Sequence, residues 1–420
     1  MVNELKAAKR DRARHTSTAN SYGCLRSLAR ISAFLLLIIV FPVIFLHRLF
    51  SPLEQQLVDY LHQIINFSIP ADKESDMIAI TCGRDVYTIY PNGDNLKRIR
   101  QGSLHNRFQH ISWSPDGEWL ALALTEFLSW HNDSIYKLRF DGSLSKRLTF
   151  DKANKRLVEW TEDGSALRYI SGEDVWQVPA DGGKPTRLDL DGFELYRSSD
   201  AAWSPSGDAL IVERGKHYAP TESVGYLYML APGEGGLVWE HALVESLNWL
   251  DVYGAGVDRI RWSPTGDRIA YRAHQKGYLY KGDAPADGFR MRSEIRILDL
   301  ETKVETKVYE PFRYDELQWS PNGQWIALTD YGGIVDDSER HLLVLDANTG
   351  DIRDLAKGEL HRAVTWSPDS EWIAFAFETG DDGGLRWDKS HVFKIRRDGS
   401  DLKHIVELDC DLHAMSWSPQ

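Results

Sequence analysis

The sequence predicts an all-β chain folded as a seven-bladed β-propeller, and three observations carry that expectation. A tryptophan followed by a tight turn recurs seven times, as WSPDG at Trp113, WTEDG at Trp160, WSPSG at Trp203, WSPTG at Trp262, WSPNG at Trp319, WSPDS at Trp366 and WSPQ at Trp417. Successive tryptophans lie 47, 43, 59, 57, 47 and 51 residues apart, the length of a four-stranded blade with a variable loop. The two ends of the pattern are complementary: the first hairpin (MIAITC, DVYTIY, LKRIR) has no tryptophan strand before it, and the last tryptophan strand (HAMSW) has no hairpin behind it. Placing residues 412 to 417 beside residues 77 to 100 gives six contiguous blades and one composite blade, a closed ring without open sheet edges.

Each unit reads as a short strand ending in Trp, a Pro/Asp/Gly turn, an apolar strand, a loop, and a hairpin with a second Gly turn. The segment after Trp113 gives EWLALAL, SIYKLRF, the turn Asp141-Gly142 and KRLTF, and the segment after Trp366 gives EWIAFAF, HVFKIRR, Asp398-Gly399 and LKHIV. Asp-Gly and Asn-Gly suit tight hairpins because the turn needs positive φ. Read in this way, residues 76–420 form the propeller.

These residues resemble the TolB-like, or WD-repeat-like, propellers, whose blades carry WSPDG, an apolar strand and a D-G-x-x-x-R-L-T ending. WSPDGEWLALAL at Trp113, IYKLRFDGSLSKRLT from Ile135 and WSPNGQWIALTD at Trp319 carry the resemblance. It implies a propeller over about residues 75 to 420 and leaves the activity open, because such propellers serve as binding platforms, peptidase gates and lyases. TolB-like envelope proteins place an α/β domain before a six-bladed propeller, whereas here about 25 residues separate an apolar segment from the first blade strand.

The N-terminal region has a different composition. Within residues 1–30, seven basic side chains outweigh two acidic ones, so this tail carries +5 and the remainder −18 of the chain's net −13. The run ISAFLLLIIVFPVIFL (residues 31–46), extended by Leu49 and Phe50, approaches the ~20 apolar residues that cross a bilayer. Residues 31–50 are therefore expected to form one transmembrane signal-anchor helix, which the sequence favours over a cleaved signal peptide because no small-residue cleavage site follows. The basic side chains ahead of it place the tail in the cytoplasm and the propeller on the other side. Residues 51–75 read as an amphipathic helix and linker, with Leu53, Leu57 and Leu61 at helical spacing.

Acidity argues against nucleic-acid partners, which need clustered Lys and Arg. Three cysteines are too few for a disulfide-dense scaffold, but Cys82 and Cys410 fall near one another in the composite blade and form a candidate disulfide in an oxidising compartment. Otherwise they are two small buried hydrophobes.

Strand alternation puts the WSPDG and Asp-Gly turns on one face and the long insertions on the other. The insertions supply candidate ligand-binding residues: Trp130, His131, His217, Tyr218, His274, Tyr278, Tyr331, Arg386 and Trp387. Aromatic and polar side chains on a rigid frame suit peptide segments or sugars. The inner strands supply a second, channel set: His110, Glu159, Asp200, Arg259, Arg261, Glu316, Gln318 and His361, whose alternative reading is a mutually paired structural network. No HExxH, CxxC, G-x-S-x-G, P-loop or dinucleotide fingerprint occurs, so no metal, cofactor or catalytic residue is assigned. The expected function is a membrane-anchored extracytoplasmic binding or scaffolding module for an envelope or membrane protein, or for glycan. The alternative is a lyase or hydrolase acting on polysaccharide or peptide, which requires His110, His361 and His413 or His274 to converge.

Overall fold

The computed structural model describes residues 76–420 apart from 103–105, 127–132, 152, 196–199, 220–221, 234–235, 243–254, 276–291, 310–313, 332–339, 359, 381–386 and 420. The tail, anchor and linker expected over residues 1–75 lie outside the described residues.

Chain order runs through seven antiparallel, four-stranded sheets. β1 (Ile78–Cys82), β2 (Asp85–Ile89) and β3 (Lys97–Gln101) form most of blade 1. Blade 2 contains β4 (Asn106–Trp113), β5 (Trp119–Glu126), β6 (Asp133–Arg139) and β7 (Ser145–Arg147). Blade 3 contains β8 (Lys155–Trp160), β9 (Ala166–Ser171), β10 (Asp174–Pro179) and β11 (Thr186–Leu188). Blade 4 contains β12 (Ala201–Trp203), β13 (Leu210–Ala219), β14 (Glu222–Ala231) and β15 (Gly236–Ala242). Blade 5 contains β16 (Ala255–Trp262), β17 (Arg268–Gln275), β18 (Arg292–Asp299) and β19 (Glu305–Tyr309). Blade 6 contains β20 (Tyr314–Trp319), β21 (Trp325–Tyr331), β22 (Arg340–Asp346) and β23 (Ile352–Gly358). Blade 7 contains β24 (Leu360–Trp366), β25 (Trp372–Gly380), β26 (Trp387–Arg396) and β27 (Lys403–Leu408), after which β28 (Leu412–Trp417) pairs with β1 and completes blade 1. The seven-bladed ring and its composite closure are those the repeat predicts.

The core is divided among the seams. Each of seven buried apolar clusters joins two successive blades, from Ala79, Val86, Phe108 and Leu120 between blades 1 and 2 to Ile80, Ala376, Val392 and Leu412 between blades 7 and 1. Both faces of each sheet are covered, which explains central strands such as WLALAL, where small and large apolar residues alternate to fill unequal gaps.

The tryptophans are stitches as well as wedges. The indole N–H of Trp113 donates to Ser416 O at 2.9 Å, that of Trp262 to Ala202 O at 3.0 Å, that of Trp319 to Arg261 O at 3.1 Å and that of Trp366 to Gln318 O at 3.1 Å. In each case the acceptor is the residue just before the preceding blade's tryptophan. Trp160 follows the rule at 3.4 Å on Ser112 O, and Trp203 takes Leu157 O instead at 3.1 Å, where Leu157 has left-handed φ of 52° within a bulged strand.

The following turn is closed by its own side chains. In blade 2, Ser114 Oγ accepts from Trp119 N–H at 2.9 Å while Asp116 accepts from Ser114 Oγ–H and from Glu118 N–H. Gly117 takes φ of 64°, which a non-glycine residue enters only at a cost. In blade 3, hydrogen bonds from Thr161 and Ser165 hold the Asp163 carboxyl down to about 2. In blade 7 the Gly is replaced by Ser370, which adopts φ of 62° and accepts from Asn322 N–H of blade 6 at 3.0 Å through its hydroxyl.

Candidate functional site

The inner strands bring the channel candidates together because most of them are irregular. Register shifts interrupt β4 at Phe108/His110, β8 at Arg156/Glu159, β16 at Asp258/Arg261, β20 at Tyr314/Glu316 and β24 at Leu360/Val364. A bulge inserts one or more unpaired residues and re-aims the side chains after it, and His110, Glu159, Arg261 and Glu316 each stand at the first position beyond one.

The result is a chain of charges around the axis. His110 Nε2 lies 3.9 Å from Glu159 Oε1, and Arg261 Nη2 lies 3.6 Å from Glu316 Oε1. Both separations exceed hydrogen-bonding distance. Glu159 of blade 3 also feels Arg261 of blade 5, an interaction that skips a blade and fits side chains converging on the axis. Although the Glu159 side chain is 42% exposed, protein surrounds its carboxyl at longer range. Desolvation raises its pKa, against the opposing pull of His110 and Arg261. Asp200 is a structural member of the set: its carboxylate accepts from Ala201 N–H at 3.0 Å and Ile260 N–H at 3.1 Å, tying blade 4 to blade 5. Arg259 sits in the β16 bulge with φ of 56°. His361 is placed on β24, and its side chain lies outside the description.

The side chains of His274 and His361 lie outside the described residues, so the three-histidine convergence is not tested there; among the described residues no group of three His, Cys, Asp or Glu side chains has the arrangement of a metal site. His413 of β28 instead stands 3.8 Å from its neighbour Asp411.

Of the insertion-face candidates, Trp130, His131, Tyr278 and Arg386 lie outside the described residues. The backbones of His217 and Tyr218 are on β13, His274 on β17, Tyr331 on β21 and Trp387 on β26. This corrects the reading of the segment that holds His217 and Tyr218 as a loop insertion. β13 and β14 continue pairing through Lys216 with Val224, His217 with Ser223 and Ala219 with Glu222, so the insertion is a strand extension. The physical reason is local: antiparallel pairing satisfies the backbone groups of an insertion that lacks a core of its own.

Sequence reasoning missed an ionic network at the seam of blades 4 and 5. His241 of β15 meets Glu305 of β19 at 2.8 Å, and Arg296 bridges Glu305 at 3.0 Å and Glu294 at 2.8 Å. Burial alone raises the Glu305 carboxyl, but hydrogen bonds from partners including His241 and Arg296 outweigh it and hold the pKa below the usual value. These residues are 64 apart at the extremes, from His241 to Glu305, and no motif marks them.

Cys82 and Cys410 are joined as a disulfide with Cα atoms 5.6 Å apart. The bond links the end of β1 to the segment entering β28, on either side of the composite blade's pairing.

No protein-family model matches the chain, and no curated protein sequence matches it. Among solved structures, tricorn protease is 10% identical over 80% of this chain, with a TM-score of 0.52, and this chain spans 34% of the protease chain. An oligogalacturonate lyase solved in complex with manganese is 10% identical over 78% of this chain and 86% of its own, with a TM-score of 0.50. TolB from Acinetobacter baumannii is 12% identical over 87% of this chain and 71% of its own, with a TM-score of 0.47. The likeness to the tricorn protease and to the lyase is one of fold alone, in keeping with the β-propeller that the WSPDG repeats and strand order establish directly.

Proposed function

We propose that the chain is a membrane-anchored, extracytoplasmic propeller that acts as a binding or scaffolding module for a partner protein of the same membrane or envelope. The observation that carries this reading is a rigid, seam-packed ring from which paired strands extend on the face opposite the turns. A rigid frame presenting variable segments is the common arrangement for recognition. The compartment draws support from two independent features. The basic tail and apolar run fit a propeller held across the membrane from the cytoplasm, and a disulfide between Cys82 and Cys410 fits oxidising surroundings. The third cysteine, Cys24, lies in the tail.

The test is chemical crosslinking of the full chain in membranes, followed by detergent extraction and identification of the bound protein. A stoichiometric partner that survives washing with free sugars supports the protein-binding reading, glycan-array binding without such a partner transfers the ligand class to sugars, and neither result rejects the module. An enzymatic reading draws on the imidazole of His110 and the raised carboxyl of Glu159 at 3.9 Å. Turnover of an acidic polysaccharide that disappears in Glu159→Gln is its required outcome.

A further inference from the structure

Blades 2 and 7 carry the same cluster of lysines and tryptophan. Aligned without a gap, IYKLRFDGSLSKRL and VFKIRRDGSDLKHI match Lys137 with Lys394, Arg139 with Arg396 and Lys146 with Lys403, and Trp119 matches Trp372. The register agrees: Lys137 opposes Lys146 across β6 and β7, and Lys394 opposes Lys403 across β26 and β27. Lys137 Nζ stands 4.0 Å from the Trp119 ring centroid. Around Trp372, Lys394 Nζ stands at 4.7 Å, Arg396 Cζ at 4.5 Å and Lys403 Nζ at 5.3 Å.

Like charges directly opposite one another repel, so each lysine pair calls for an anion. In blade 2 the next blade supplies it. Asp181, in the hairpin turn of blade 3, places its carboxylate 3.3 Å from Lys137 Nζ, and its main-chain carbonyl accepts from Lys146. The turn that corresponds for blade 7 belongs to blade 1, and matching VWQVPADG with VYTIYPNG puts Asn92 where Asp181 stands. This turn is also seated closely, since a Cβ at Gly93 would come within 2.8 Å of Ile405 O in blade 7. Asn92 is uncharged, and its amide is turned to Asp94 at 2.8 Å. Arg396 is met by Asp401 at 3.0 Å. Among the described residues, Lys394 and Lys403 have no acidic partner. Burial, followed by repulsion from Lys403 and Arg396, lowers the Lys394 pKa.

We propose that the Lys394–Lys403 pair beside Trp372 accepts a carboxylate from an acidic segment of a partner protein, in the role that Asp181 plays for blade 2. A peptide fits because Asp181 serves one lysine with its carboxylate and the other with its own backbone carbonyl. Leu402 and Leu96, 55% and 44% exposed on the adjoining hairpins, offer apolar contacts to the residues that flank such an aspartate. The inference rests on the protein-binding reading. It concerns the turn face, so its failure leaves open a partner on the opposite face.

The experiment titrates a tetra-aspartate peptide into the full chain in detergent micelles, observed by ¹⁹F resonances of fluorotryptophan with Trp372 assigned by Trp372→Phe. Tetra-aspartate is expected to shift the Trp372 resonance while tetra-asparagine does not. Asn92→Asp, which installs the internal anion, is expected to weaken the peptide at least tenfold. Lys394→Met is expected to do the same, and Asn92→Ser, which alters the turn without charge, retains binding and shows that the turn tolerates substitution. An unmoved Trp372 signal, or equal affinity in Asn92→Asp, overturns the proposal. Inorganic phosphate binding as tightly as the peptide overturns the assignment to a peptide carboxylate.

Discussion

The seam between blades 7 and 1 is built differently from the other six. At those six, a tryptophan wedge donates its indole N–H to the backbone of the blade before it. At the closing seam, Trp417 Nε1 is buried without a hydrogen-bond partner among the described residues, and the contact is made by Trp417 N–H on Thr365 Oγ1 at 3.0 Å. Within blade 1 no turn joins the inner strand to its neighbour, because β28 and β1 come from distant parts of the sequence. Ser418 takes the turn's place: its N–H donates to Met77 O at 2.7 Å and its hydroxyl accepts from Met77 N–H at 2.9 Å. The disulfide holds the other end of the same strand pair. Where covalent continuity is missing, the sequence substitutes a side-chain clasp and a covalent bond, and one tryptophan keeps its shape while losing its polar function.

The largest effect that separates the two kinds of seam is expected from the disulfide. Closing a separation of 328 residues removes up to about 5 kcal/mol of unfolded-state entropy. Cys82→Ser with Cys410→Ser should therefore lower the urea midpoint strongly, and reductant should lower the wild-type midpoint to the same value. No response to reductant would show that the disulfide does not stabilise the closing seam.

Next come the tryptophans. Trp366→Phe deletes a buried indole bond to Gln318 O and is expected to cost about 1–3 kcal/mol because the carbonyl loses its donor. Trp417→Phe removes a donor with nothing to donate to and should cost less than about 1 kcal/mol. Equal losses in denaturant titrations would show that the stitches contribute only packing.

A smaller effect tests the channel, which both kinds of seam enclose. Because desolvation raises the Glu159 pKa, the folded state favours the protonated form. Stability is retained below the unfolded carboxyl's pKa and declines as pH rises through the folded value. Glu159→Gln should flatten that decline and raise stability at neutral pH by no more than about 1 kcal/mol after solvent screening of the partly exposed side chain. Melting temperatures from pH 4 to 8 decide it. The smallest effect is expected at Ser370→Gly, where relief of left-handed strain, about 1 kcal/mol, offsets the lost bond to Asn322 N–H. A large change in either direction would show that one of the two has been misjudged.

Much of the fold is legible because its determinants are local and repeated. WSPDG specifies a turn by the bonding capacity of Ser, Asp and Gly within a few residues, and repetition at blade length specifies the ring. Even the composite blade can be read, since HAMSW lacks a hairpin and MIAITC lacks an inner strand. The site is less legible. His110 and Glu159 are identifiable as inner-strand polar residues, but their approach depends on bulges in two different strands, which no residue pattern announces. The strand extension holding His217 and Tyr218 reads as loop because Gly215 and Pro220 interrupt its alternation.

By itself the sequence determined blade number, strand order, the composite closure and the positions of the tight turns, because period-two patterning and turn chemistry act over neighbouring residues. Only the tertiary structure decided which backbone carbonyl each indole reaches, that Asp200 ties two blades, that His241 meets Glu305, and that Lys394 lacks the aspartate its counterpart Lys137 enjoys. Those contacts join residues on different blades, and their energies depend on distances that exist only once the ring has closed.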